Sequence, residues 1–409
     1  MMKKLSLDTT EVPFFRPAIG AEEIEEVVQC LRSGWLTSGP MVRRFEEEFA
    51  KAVGASYAIA LNSCTAALHL GIESLGLQAG DAVLVPTFTF AATAEVVQYN
   101  QAIPLFVDCH PDTLNIDLKD AEEKLQQFQS HSKNNGHESK VVGIMPVHVG
   151  GMMVDMDAVN DFAKKHDLWV VEDAAHALPA SYKNQTGSWR RCGEGTADVT
   201  CYSFYANKTI TTGEGGMAVT EDESLAKRIR SLSLHGLSRD AWKRFGGGSW
   251  DYQILEPGYK YNMTDIAAAM GVHQLAKADE FRQGRQRVAD AYRVAFSDRT
   301  EFELPVESEN RIHSWHLFPI RLNLEHLTID RNEFIECMRS NGVSCSVHWR
   351  PLHLHPYYEG QVFWKADDLP EATRAWPRIV SLPLFPAMTS AEVSKVIQVV
   401  QKICDDHRH

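Results

Sequence analysis

The densest chemistry in the chain lies between 172 and 216, EDAAHALPASYKNQTGSWRRCGEGTADVTCYSFYANKTITTGEGG. Asp173 closes an apolar run, LWVVED, that reads as a strand. In open α/β sheets ligands bind at the carboxyl ends of strands. A second strand ends at Ser203 and runs through Phe204, Tyr205, Ala206 and Asn207 to Lys208, followed by the turn Gly213-Glu214-Gly215-Gly216. A lysine stripped of water at such a place can form a Schiff base. Plainer readings stand beside this one. A lysine after a strand is commonly a solvated surface charge. Asp173 can cap a helix starting at Ala174, and GEGG can be a tight turn.

Two further groups invite the same weighing. Ser63, Cys64 and Thr65 sit between a strand, YAIALN, and a helix, TAALHLGIESL. A helix N-terminus there would offer backbone N–H groups to a phosphate, or Ser63 would be an ordinary N-cap. In the run from His348 to His355, His353 and His355 could be metal ligands, and the HSWH run at 313–316 invites the same reading. A zinc site needs three or four convergent ligands, and no HExxH or CxxC supports one, so hydrogen-bonded pocket or core histidines are the preferred reading. No metal is expected. No P-loop signature occurs, and no G-x-G-x-x-G follows the first strand, which disfavours nucleotidase and dinucleotide chemistry.

These residues must be carried by a scaffold, and the chain is long enough for two or three domains, at 409 residues. Hydrophobic residues make up 44% and charged residues 23%, ordinary for a globular protein. The net charge is −13, which argues against general nucleic-acid binding. No run approaches a membrane span, and the N-terminus lacks the apolar core of a signal peptide, so a cytoplasmic protein without membrane partners is expected. The eight cysteines form no CxxC and read as free thiols in a reducing compartment.

Val/Ile/Leu-rich runs without alternation (VLVPT, PLFVD, VVGIMPVH, LWVVED) read as strands buried on both faces. Alternating with helical stretches, they predict a largely parallel α/β sheet. Residues 20–33 read as an amphipathic helix on Ile24, Val27, Val28 and Leu31. The polar run at 126–140 reads as an exposed loop, and RFGGGSWD (244–251) as flexible. A long helical pattern begins near 265. The division is a large α/β domain with an N-terminal arm over 1–265, then a linking long helix and small α+β domain over 266–409.

Taken together, SGWLTSGP, NSCTAALHLGI, VPTFTFAATAE, PLFVDCHPDTLNID, VEDAAHA, CYSFYANKTITTGEGGMAVT, LHGL, GYKYNMTDIAAAMG, HSWHLFPIRL and SLPLFPAMT occur in one order from about residue 12 to 400. In this the chain resembles the DegT/DnrJ/EryC1/StrS family of sugar aminotransferases dependent on pyridoxal phosphate. The resemblance implies the type I fold of such transferases, with a three-layer large domain, a mainly parallel sheet and a small C-terminal α+β domain. It implies homodimers with shared active sites. By position, Lys208 is then the Schiff-base lysine and proton carrier, and Asp173 the partner of the pyridine nitrogen. His176 stands where the family has Gln or His against the cofactor. Phe90 matches the aromatic stacked on the ring. Ser63, Cys64, Thr65 and Ser203 match the phosphate cradle, and Asn262 the residue donated to it by a partner subunit.

HGLSRDAWKR, ILEPGYKYNMTDI and SVHWRPLH look most similar to UDP-4-keto-sugar 4-aminotransferases. By that similarity Arg244 would hold a donor carboxylate or a substrate phosphate, bidentately in either case. Trp35, Thr37, Ser38, His348, Arg350 and His353 would line the sugar-nucleotide pocket. The implied reaction is ping-pong transfer of an amino group from L-glutamate to a 4-keto nucleotide sugar, for aminosugar and polysaccharide biosynthesis. The alternative is a 3-keto-sugar or aminocyclitol aminotransferase using glutamate or glutamine. The related sugar 3-dehydratases carry a histidine in place of the lysine, and Lys208 sets that branch aside.

Overall fold

Val83, Leu84 and Val85 are all fully buried, which requires cover on both faces of their strand. The computed structural model describes residues 11–134, 139–238, 253–360 and 365–409, and among them that cover is present. Strands β1 (Tyr57–Leu61), β2 (Ala82–Pro86), β3 (Ile103–Val107), β4 (Val141–Ile144), β5 (Trp169–Asp173), β8 (Val199–Ser203) and β9 (Gly216–Thr220) form one seven-stranded sheet in the order β1-β9-β8-β5-β4-β2-β3. Between β5 and β8 the chain makes a small hairpin, β6 (Ser181–Lys183) and β7 (Trp189–Arg191). The pairings from β8 through β5, β4 and β2 to β3 are parallel, and β9 runs antiparallel to both β1 and β8. Leu84, Leu105 and Ile144 pack with Phe45, Phe49 and Phe162 on one side. Val83, Val85 and Val171 pack with Leu68 and Leu70 on the other. This is the mixed, mainly parallel α/β sheet of the transferases that the resemblance implied.

Further along, β10 (Phe302–Glu303), β12 (Phe318–Leu322) and β13 (Ile379–Leu382) form a separate three-stranded sheet, while β11 (Arg311–Ile312) pairs with β6. Helices Ala278–Phe296, Arg331–Ser340 and Ser390–His407 pack a second apolar core on the β12–β13 sheet, through Tyr292, Phe334 and Val400. The long helical pattern is two helices, Asp265–Ala276 and Ala278–Phe296, meeting at Lys277.

One local expectation differs, and another is met with a detail the pattern left open. The run at 126–140 is helical as far as Asn134, within the helix Leu118–Asn134. Its polar composition hides a buried stripe, Ala121, Leu125, Phe128 and Ser132, at helical spacing. The helix Ala21–Ser33 forms where the amphipathic pattern predicted it, with its apolar stripe turned outward: Ile24 is 60% and Leu31 51% exposed, while Glu23 is 1% exposed. Glu23 is tied down by Lys277 and Gln274, so an ion pair rather than the apolar stripe decides which face is covered. The segment 244–251 lies outside the described residues.

Candidate active site

The carboxyl ends of β1, β2, β5 and β8 lie along one edge of the sheet, and the residues that follow them line a cavity of about 580 Å³. That is within the range of pockets that take a cofactor with its substrate. Asp173, the last residue of β5, is 5% exposed. Its Oδ2 accepts from Thr93 Oγ1 at 2.8 Å and its Oδ1 from the Ala175 amide at 3.1 Å. Burial raises its carboxyl above the usual 3.8, against the opposing pull of these bonds and of the Lys208 cation. Thr93 gives its proton to Asp173, so Thr89 Oγ1, 2.8 Å away, is the donor to Thr93. Among the described residues no cation is ion-paired with Asp173.

Lys208 follows β8 and lines the same cavity. Burial lowers its amine from 10.5 to about 8, while Cys64 and Asp173 pull the other way. Its Nζ has no hydrogen bond or ion pair to another described residue, so a neutral, nucleophilic amine is available at the cavity wall.

The helix Cys64–Ser74 opens on the cavity. Ser63 is its N-cap and accepts from Ala66 N at 3.0 Å. The plainer reading of its hydroxyl is therefore correct, and the capped helix still presents its positive end to the cavity. The second glycine of GEGG, Gly215, and the third, Gly216, have a packing reason. A Cβ on Gly216 would stand 2.3 Å from the Ser63 carbonyl carbon and 2.5 Å from Cys64 N. The start of β9 thus lies directly against the backbone of the helix start.

Ser63, Cys64, Thr65, Phe90, Asp173, His176, Ser203, Lys208 and His348 all line the cavity. His348 Nδ1 pairs with Ser381 Oγ at 2.9 Å, and burial lowers its imidazole to about 4. Asn262, Trp35 and Ser38 form a neighbouring cluster instead. Asn262 Nδ2 donates to Ser38 Oγ at 2.7 Å, and Trp35 Nε1 donates to the Ser38 carbonyl at 3.3 Å. Asn262 bridges Leu61, just before the helix start, and the Thr37 carbonyl accepts from Asp265 N. Arg350 is exposed and donates to the Leu354 carbonyl. His353 has both ring nitrogens engaged, by Thr87 Oγ1 at 2.7 Å and Thr373 Oγ1 at 2.9 Å. Arg244 lies outside the described residues.

Sequence reading gave no role to Thr89, Thr93, Tyr205, Asn207 or His316, which contribute to the wall or its hydrogen bonding, while Trp349, within the stretch 348–353 expected to line the pocket, does line it. Thr93 was visible only as part of VPTFTFAATAE, and His316 only as one of two histidines in HSWH. Nothing local distinguishes His316 from His313, whose Nδ1 is spent on the Trp315 amide.

Known proteins are similar to this chain along almost its whole length. The DegT/DnrJ/EryC1/StrS aminotransferase family model matches residues 17–401. The Methanocaldococcus jannaschii protein MJ1066 is 43% identical over 97% of this chain and 98% of its own. The Bacillus subtilis spore coat polysaccharide biosynthesis protein SpsC is 41% identical, over 96% and 97%. Among solved structures, Spr1654 of Streptococcus pneumoniae, described as a sugar aminotransferase, superposes in its PMP form with a TM-score of 0.86. The identity there is 31%, over 97% of this chain and 99% of that one.

Proposed function

The chain belongs to the DegT/DnrJ/EryC1/StrS aminotransferase family, whose cofactor is pyridoxal phosphate, and on that premise we propose that it transfers an amino group from L-glutamate to a 4-keto nucleotide sugar, UDP-linked, for polysaccharide biosynthesis. The observation that carries the catalytic part is the pairing, on one cavity, of an uncommitted lysine lowered to about 8 with a buried carboxylate that has no cationic partner among the described residues. The name of SpsC supports the biosynthetic setting.

The residues present fit the cofactor. Asp173 supplies the buried negative charge that a protonated ring nitrogen needs. The start of the helix Cys64–Ser74, with Ser203, supplies amides and a hydroxyl for its phosphate. Phe90, at 62% exposed beside the cavity, supplies an aromatic face. Once bound, the ring supplies an electron sink to the carbon losing a proton. Lys208 would hold the group through its amine and move that proton between carbon and ring substituent. Thr93 and Thr89 keep the Asp173 carboxylate oriented. His176, lowered well below 6.5 by burial and by Lys208, stays neutral and offers an N–H without adding charge. Glutamate enters and leaves as its keto acid before the keto sugar enters, so one cavity serves both halves of the reaction.

A homodimer is part of the proposal. Its support is the outward apolar stripe of Ile24 and Leu31, and Phe90 and Tyr205 exposed at the cavity. The cluster of Ser38, Trp35 and Asn262 beside the helix start is where a second chain would meet the phosphate end. Light scattering gives the mass. Mixing inactive Lys208→Ala and Asn262→Asp chains tests sharing, because restored turnover requires sites built from two chains.

The test of the reaction is the visible spectrum of the purified protein before and after L-glutamate, followed by a panel of keto nucleotide sugars. A yellow protein bleached by glutamate and restored by a UDP-4-keto sugar is the expected result. Bleaching only by glutamine, or restoration only by a 3-keto sugar or a cyclitol ketone, would overturn the substrate assignment.

A further inference from the structure

Three rings from distant segments meet along the cavity wall, all of them among its lining residues. The His316 ring centroid lies 4.1 Å from that of His176, at 44°. Trp349 covers His176 from 5.0 Å, at 19°. The turn that carries His316 also grips residue 176 through the backbone, because Ser314 Oγ donates to the His176 carbonyl.

That turn is held in a costly shape. Trp315 is completely buried with φ 51°, in the left-handed region that side chains other than glycine rarely adopt. Such a conformation persists only where the surroundings over-determine it. Here Arg285 Nη1 donates to the carbonyls of Trp315, His316 and Leu384, at 3.3, 3.2 and 2.8 Å. The amides of Ser314 and Leu317 bond to the carbonyls of Gly151 and Gly150, each at 3.1 Å. A Cβ on Gly151 would stand 1.9 Å from Ser314 Oγ and 2.9 Å from the His176 carbonyl oxygen, so the contact admits no side chain.

We propose that His316 is a positioning residue: together with Trp349, which also contacts the ring, it holds the His176 imidazole so that its N–H meets the oxygen substituent of the bound pyridine ring at a fixed place. This rests on the reading that His176 faces the cofactor. Nδ1 of His176 and of His316 are both buried without a partner. A stranded N–H is rarer than a stranded acceptor, which puts each proton on Nε2. Burial and the Lys208 cation keep both rings neutral, so the pair presents donors and no added charge. A free imidazole would give up rotamer freedom when the ligand binds, and a clamp has removed that freedom beforehand. The clamp reaches across the fold, since Arg285 belongs to the helix Ala278–Phe296 and Leu384 follows β13.

The test uses full-length apoprotein titrated with pyridoxal phosphate, reading the dissociation constant and the position of the visible band, with melting of each variant as the control for folding. His176→Ala is expected to weaken binding and shift the band. His316→Leu, which fills the space without a flat face, is expected to shift it in the same direction and weaken binding about five- to tenfold, the scale of a lost ring pair. His316→Phe restores both to within about twofold, and the double variant is no weaker than His176→Ala alone, because the clamp then has nothing to hold. If the leucine variant fails to fold, Trp349→Leu removes the other ring contact to His176 and must shift the band likewise.

A normal band and affinity in His316→Leu, beside a clear effect of His176→Ala, would overturn the proposal while leaving the cofactor role of His176 intact. So would additive effects in the double variant, or a phenylalanine variant as impaired as the leucine one. No effect from His176→Ala would remove the reading of His176 itself, and the proposal with it.

Discussion

Thr93 Oγ1 donates to Asp173 Oδ2 at 2.8 Å across eighty positions of sequence. The helix Ala92–Tyr99 thereby stabilises the charged form of a carboxylate whose burial favours the neutral one.

Replacing Thr93 by valine keeps the shape and strands a buried acceptor, which costs about 1–3 kcal/mol of stability. The Asp173 carboxyl then moves further up, and the cofactor is expected to bind about tenfold more weakly at neutral pH, with Thr93→Ser restoring it. Asp173→Asn goes further: some cofactor stays bound, and proton removal from glutamate slows by about 10²–10⁴-fold. Single-turnover absorbance after glutamate addition measures both, and an unchanged rate in Asp173→Asn would mean that another group protonates the ring.

Lys208, at about 8, is neutral in about one molecule in ten at pH 7. Capture of pyridoxal phosphate by the apoprotein should accelerate as pH rises through about 8 and then level off. The amine is lowered in the folded state, so the folded protein binds fewer protons than the unfolded chain between about 8 and 10.5. Stability of the apoprotein therefore rises with pH across that window. Lys208→Met should remove this rise and abolish turnover while melting as a folded protein. Normal turnover in that variant would sink the mechanism.

Gly216 tests the phosphate end. Its Cβ would collide with backbone atoms of Ser63 and Cys64, which cannot swing aside like the tip of a side chain. Gly216→Ala is expected to cost about 1–3 kcal/mol and to displace the helix start. Cofactor affinity should fall with it, whereas Gly213→Ala, at φ 80° with open space around it, should lose stability through backbone strain and leave the helix start in place. Equilibrium urea unfolding and cofactor titration on the two variants separate the effects.

Glu172 and His148 form a second buried pair, on the strand that carries Asp173. Glu172 Oε2 accepts from Thr200 Oγ1 at 2.6 Å and Thr196 Oγ1 at 2.9 Å, leaving Oε1 3.8 Å from His148 Nε2. His148 Nδ1 accepts from the Val154 amide, so the neutral ring carries its proton on Nε2, a tautomer that turns an N–H toward Glu172 and leaves that nitrogen no lone pair for a metal. Burial raises Glu172 from 4.5 to about 7 and lowers His148 from 6.5 to about 3. The raised carboxyl makes stability fall as pH climbs from 4.5 to about 7, and the lowered imidazole makes it fall as pH drops from 6.5 toward 3. Glu172→Gln removes the first effect only. Relative to the parent, it should gain up to about 3 kcal/mol between pH 5 and pH 8. Urea midpoints at the two pH values measure this, and an equal offset at both would show that Glu172 is charged throughout.

Strand ends, local features of pattern, marked Lys208, Asp173 and the helix start at Cys64 as candidates, and the family resemblance rather than the pattern gave them their roles. What sequence reading left open or missed is also local in origin. A hydrophobic stripe such as Ile24 to Leu31 says that a helix has two faces, but the Glu23–Lys277 ion pair decides which is buried. Polar composition at 126–134 concealed a helix because a few widely spaced buried residues suffice to anchor one. What only the tertiary structure decided is which distant residues meet at the strand ends. The sheet order β1-β9-β8-β5-β4-β2-β3 brings Thr93 to Asp173, and the turn held by Arg285 brings His316 onto His176. It also commits His353 to two threonines rather than to the cavity. Such meetings depend on strand order and on contacts between segments well separated along the chain, which a periodicity along the chain does not encode.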